Sequence, residues 1–98
     1  MRVVMIMKWD GVSIDQYEQV RKSVNWEGNK PDGAVFHVCA FGNNTMHVTD
    51  IWESGDEFNN FVQTRLMPGV AAAGIQGQPH VEVLPLHAIY VPDPGNLS

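Results

Sequence analysis

Residues 34–53 read Ala34-Val35-Phe36-His37-Val38-Cys39-Ala40-Phe41-Gly42-Asn43-Asn44-Thr45-Met46-His47-Val48-Thr49-Asp50-Ile51-Trp52-Glu53. Two runs rich in β-branched and aromatic residues flank Gly42-Asn43-Asn44. Asparagine and glycine tolerate the positive φ that tight hairpin turns require, so the stretch predicts a β-hairpin with strands over Ala34–Phe41 and Thr45–Glu53.

Towards the N-terminus, Asn25 to Gly33 carries two glycines and Pro31 and reads as a loop. Before it, Ser13 and Gln16 have the spacing of a capping box, and Val12 and Tyr17 that of a hydrophobic staple. Ile14, Tyr17, Val20 and Val24 fall on one helical stripe. The chain starts with an unbroken apolar run, Val3–Met7, bounded by Arg2 and Lys8; this predicts a strand covered on both faces, ended by Asp10-Gly11. On the other side of the hairpin, Ser54 and Glu57 set up a second capping box. Phe58, Phe61, Val62 and Leu66 give that helix its buried stripe. Pro68 should stop or kink it, with one more turn over Val70–Ala73. A last strand is expected over Val81–Val91. Because Pro85 lies inside it, that strand belongs at a sheet edge. The Pro/Gly-rich tail, residues 92–98, is expected to be disordered.

The order strand–helix–strand–strand–helix–strand is the ferredoxin-like βαββαβ pattern, an α+β fold with a four-stranded antiparallel sheet and both helices on one face. Residues 1–91 form one domain. The strands carry apolar residues at both parities: Val3, Met5 and Met7 against Val4 and Ile6, and Val35 and Cys39 against Phe36 and Val38. An antiparallel sheet with one wet face alternates cleanly. Something should therefore cover the second face, and a second copy of the same sheet is the simplest cover. The expectation is a homodimer with two-fold symmetry.

Composition narrows the function classes. The formal net charge is -5 and no Lys/Arg cluster occurs, so the basic patch of a nucleic-acid binder is missing. No basic amphipathic helix suggests a membrane surface, and Val3–Met7 is too short to span one. The single cysteine, Cys39, fits a reducing, cytoplasmic setting. Neither a GxGxxG nor a phosphate-binding loop is present to hold a nucleotide cofactor, and none is expected.

Val48-Thr49-Asp50-Ile51-Trp52-Glu53-Ser54, followed by Phe58, resembles the third-strand-to-helix signature of the dimeric α+β barrel superfamily. The closest resemblance is to the antibiotic-biosynthesis monooxygenase branch. It covers roughly the whole chain through Val91 and implies a dimeric α+β barrel. The superfamily holds cofactor-independent oxygenases acting on phenols, haem-degrading enzymes, lactone isomerases and polyketide cyclases. Its haem degraders use an asparagine late in the first strand and a histidine in the second helix. Here the first position is Met7, and no histidine lies between Ser54 and Gly77, which argues against haem degradation.

Asp50 is the most unusual residue for its setting, a carboxylate inside an apolar strand, where it must be paired or hydrogen-bonded. A two-residue Asn43-Asn44 turn puts Gly42 opposite Thr45, His37 opposite Asp50 and Val35 opposite Trp52. A three-residue turn pairs Asp50 with Phe36 instead and breaks the match. In the first register His37 and Asp50 share a face with Trp52, a candidate proton-handling site turned towards the helices. The plainer alternative is a structural hydrogen bond beneath the hairpin. Trp52, Trp26, Met7, His87 and Tyr90 are candidates for substrate contact. His37, Asp50 and His87 also have the ligand types of a two-histidine, one-carboxylate metal site, but their spacing matches no known metal pattern and none is expected. Two functions remain open: an enzyme on a small apolar or aromatic molecule, either a cofactor-independent monooxygenase or an isomerase or cyclase; and a non-catalytic ligand-binding or structural dimer.

Overall fold

Asn43 and Asn44 both take left-handed φ values, 54° and 58°. This is the two-residue type I′ turn whose twist suits adjacent strands. It fixes the register of β2 (Ala34–Gly42) against β3 (Thr45–Trp52), with Gly42 facing Thr45 and His37 facing Asp50. In the computed structural model, which describes residues 1–93 and Gly95, the remaining strands are β1 (Val3–Asp10) and β4 (His80–Pro85). The sheet is antiparallel in the order β2-β3-β1-β4. Its helices are α1 (Ile14–Val24), α2 (Gly55–Phe61) and α3 (Met67–Ala72). This is the expected α+β ferredoxin-like arrangement.

Both helix starts follow from local chemistry. Ser13 accepts from the Gln16 N–H while the Gln16 side chain accepts from the Ser13 N–H, closing the capping box. At α2, Ser54 caps the Glu57 N–H, but Glu57 turns its carboxylate to the Ser54 hydroxyl, so the second box is not reciprocal. Ile14 does not join the buried stripe of α1. It is 61% exposed in the first turn, with no element over it, whereas Val20 and Val24 are buried.

Three further features depart from the sequence reading. Pro68 neither stops nor sharply ends the second helical segment. A π-helical stretch, Val62–Leu66, joins α2 to α3, and the Met67 N–H reaches back to the Val62 carbonyl. A proline ring in a regular helix collides with the carbonyl four residues earlier; widening the turn just before it relieves that contact. Val35 is the extra residue of a β-bulge, so Ala34, not Val35, lies opposite Trp52. β4 ends at Pro85 instead of running to Val91. Pro85 pairs with Val3, the first residue of β1, and only the Leu86 N–H finds one more partner, the Arg2 carbonyl. The edge position of β4 is as Pro85 implied. Of the expected disordered tail, residues 94 and 96–98 lie outside the described residues.

Met5, Met7 and Trp9 of β1 and Met46, Val48 and Trp52 of β3 form the sheet side of the core; Val20, Val24, Phe58, Phe61 and Val70 form the helix side. On the opposite face lie Val4, Ile6, Phe36, Val38 and Leu84. Val38 and Leu84 are both nearly half exposed.

The helical layer closes where α3 meets α1. A Cβ on Gly69 would stand 2.6 Å from Val24 Cγ2 and 3.3 Å from Ser23 Oγ. Valine has one strongly preferred rotamer in a helix and cannot swing aside cheaply. Gly69→Ala is therefore expected to lower stability by about 1–3 kcal/mol through overpacking, although alanine is the better helix former by about 1 kcal/mol. Denaturant unfolding checks this; a variant as stable as the parent would refute the close approach.

Candidate functional site

Strand alternation turns His37, Asp50 and Trp52 to the helix side of the sheet. Asp50 is 6% exposed, and both its oxygens are engaged. His37 Nδ1 lies 2.6 Å from Oδ1, and the Trp52 indole N–H donates to Oδ2 at 3.1 Å. A carboxylate only accepts, so the proton between the pair sits on Nδ1. In the neutral ring Nε2 is then an acceptor, and the Tyr17 hydroxyl stands 2.8 Å away to fill it. Tyr17, His37, Asp50 and Trp52 thus form one continuous chain of hydrogen bonds linking α1, β2 and β3.

Packing fixes the outer end of this chain. Trp26, in the loop after α1, has its ring centroid 5.2 Å from that of His37 and 5.9 Å from that of Tyr17. The Tyr17 and His37 ring planes lie within 4° of each other. That loop is held by Arg65, whose guanidinium donates to the carbonyls of Val24 and Asn29. Burial pushes the Tyr17 hydroxyl well above the ordinary tyrosine range, with the neighbouring Cys39 thiol adding to the effect. Burial likewise pushes the Cys39 thiol up to about 11. Both groups stay protonated at neutral pH, and Cys39 is an unreactive thiol.

The chain opens on a cavity of about 270 Å³ between sheet and helices. Its walls are mostly apolar: Met5, Met7, Met46, Val48, Phe58 and Phe61 contribute, and so do all three tryptophans, Trp9, Trp26 and Trp52. Lys30 stands at its edge. This combination of apolar walls with a few convergent polar groups typifies small-molecule sites, and the volume lies near the lower end of their range of about 300–1,000 Å³.

Of the sequence candidates, His37, Asp50, Trp52, Trp26 and Met7 meet at this cavity. His87 and Tyr90 do not; they are exposed in the segment after β4. The placement of His87 separates it from His37 and Asp50, and among the described residues no group of three metal-ligating side chains occurs. Tyr17 is the member the sequence reading missed. Its helical period marked it as core, and only the His37 register brings a hydrogen-bonding partner to it.

No family model matches the chain, and no curated protein matches it either. Solved structures do. A protein of unknown function from Nitrosomonas europaea superposes with a TM-score of 0.70 at 14% identity, over 93% of this chain and 94% of that one. SnoaB, a cofactor-independent oxygenase from Streptomyces nogalater, gives 0.68 at 14%, over 90% and 95%. A monooxygenase from Streptomyces coelicolor, in complex with the ligand nanaomycin D, gives 0.62 at 16%, over 91% of each chain. The fold is that of the antibiotic-biosynthesis monooxygenases, as the sequence resemblance implied. Among the described residues no helix is long and apolar enough to cross a membrane.

Proposed function

We propose that this chain is a cofactor-independent monooxygenase of small, largely apolar aromatic molecules, working as a homodimer. The observation that carries the reading is the Tyr17–His37–Asp50–Trp52 chain ending in an apolar cavity. A histidine held in one tautomer by a buried carboxylate is equipped to take a proton from a bound substrate, and the carboxylate stabilises the imidazolium that forms. The substrate left behind is an electron-rich anion. Dioxygen is the oxidant: it accepts four electrons from the substrate, one oxygen atom replacing two hydrogens at the oxidised carbon and the other leaving as water. The apolar walls keep water from the anion, and the soft methionines adapt to a ring system. The fold neighbours that are oxygenases support the class of reaction.

Oxygen consumption by the purified protein with a panel of polycyclic phenols and lactones tests this. The expected result is uptake with at least one phenol, without added flavin, nicotinamide or metal, and with labelled oxygen gas delivering one atom to the product. Product formed without oxygen uptake would instead assign an isomerase or cyclase, which uses the same proton transfer. Binding of the panel without conversion would assign a ligand-binding dimer.

A further inference from the structure

The geometry points to Tyr17 as the catalytic residue that meets the substrate, and to a phenol or enol hydroxyl as the substrate group it meets. The inference deepens the reading above and rests on it for the cavity being a substrate site.

It follows from counting hydrogen-bond capacity around the cavity. The Trp9 indole N–H is taken by the Gln76 carbonyl at 2.9 Å, and the Trp52 indole N–H by Asp50. Asp50 already holds an N–H on each oxygen and, at 6% exposure, offers an incoming group almost no surface. His37 holds Asp50 at one nitrogen and Tyr17 at the other, so no lone pair of the imidazole faces the cavity. Lys30 and Trp26 offer only donors. The Tyr17 oxygen is what remains: its proton points at Nε2, leaving its lone pairs for an incoming donor.

A substrate hydroxyl docked there extends the chain in one direction, from substrate O–H to Tyr17 and from Tyr17 O–H to Nε2. The substrate O–H bond breaks as its proton joins the Tyr17 oxygen. At the same time the Tyr17 O–H bond breaks as its proton joins Nε2. The products are a substrate oxyanion, a tyrosine unchanged in charge, and an imidazolium against the Asp50 carboxylate. Burial disfavours a tyrosinate, so Tyr17 passes the proton on and does not store it.

The probe is 4-nitrophenol, whose anion has its own visible absorption band, with 4-nitroanisole as the same ring without the proton. With the unchanged protein the bound phenol should ionise at a lower pH than in buffer, by about 1–3 units, the size of shift an opposite charge nearby produces. The anisole should bind about tenfold more weakly, the worth of about one good hydrogen bond. Tyr17→Phe keeps the ring against Trp26 and removes only the oxygen. This variant should bind the phenol in its neutral form. An ionised phenol in Tyr17→Phe overturns the proposal; so does a parent protein that binds the phenol unionised, or one that binds phenol and anisole equally. The phenol–anisole comparison needs no variant, so it decides the matter even if Tyr17→Phe fails to fold. None of these readings requires turnover. A protein that ionises the phenol but consumes no oxygen refutes the oxygenase reading alone, and oxygen uptake retained with an ionising Tyr17→Phe refutes the Tyr17 assignment alone.

Discussion

His37→Ala should cut oxygen-dependent kcat/KM by about 10²–10⁴-fold, the usual contribution of a positioned acid–base group. The chain should still fold, with a stability loss of about 1–3 kcal/mol because Asp50 Oδ1 loses its buried partner. The two numbers separate the two readings of the pair. A structural hydrogen bond beneath the hairpin shows the second effect without the first. Steady-state kinetics beside urea unfolding measures both on one preparation, and full activity in a destabilised His37→Ala would remove the pair from the mechanism.

The second large effect concerns assembly. The face of the sheet away from the helices carries Val4, Ile6, Phe36, Val38 and Leu84, with Val38 48% and Leu84 45% exposed. Lys8, His47 and His80 line one end of that face, Thr49 and Glu82 flank Ile6 at its middle, and the row of Phe36, Ile51, Val4 and Leu84 is apolar. Packed against a second copy, this surface is expected to bury on the order of 1,200–2,000 Å² in total. Light scattering at micromolar concentration should give the mass of two chains. Val38→Asp should give the mass of one. An unpaired carboxylate in a desolvated contact costs about 3–5 kcal/mol, and two-fold symmetry places one on each side of the interface. A single-chain mass for the parent protein would sink the homodimer.

How far the sequence reaches depends on whether the deciding physics is local. The hairpin register was legible because two asparagines in succession tolerate the left-handed backbone that a type I′ turn requires, and that register alone brings His37 to Asp50. The capping serines are local signals too, and so is the edge position that Pro85 dictates. Readings failed where a distant element decides. β4 ends with its pairing to Val3 and Arg2, and His87 and Tyr90 then fall in the exposed segment beyond it. The bulge at Val35 changes what faces Trp52 and leaves no mark in composition. A period of 3.6 residues places Tyr17 on the inward side of α1 but does not say whether an inward side chain ends in packing or in a hydrogen bond to a strand 20 positions away.

Trp9, Trp26 and Trp52 are the only tryptophans in the chain, and all three stand in the wall of one cavity. Almost all the ultraviolet light the protein emits therefore originates where a ligand would sit. Occupancy should be readable by fluorescence without a label, as quenching or as energy transfer to a conjugated ring system whose absorption overlaps indole emission. The indoles differ in their surroundings: Trp52 donates to a buried carboxylate, Trp9 to a backbone carbonyl, and Trp26 covers an imidazole. Emission resolved by lifetime would then report separately on the floor and the rim of the cavity.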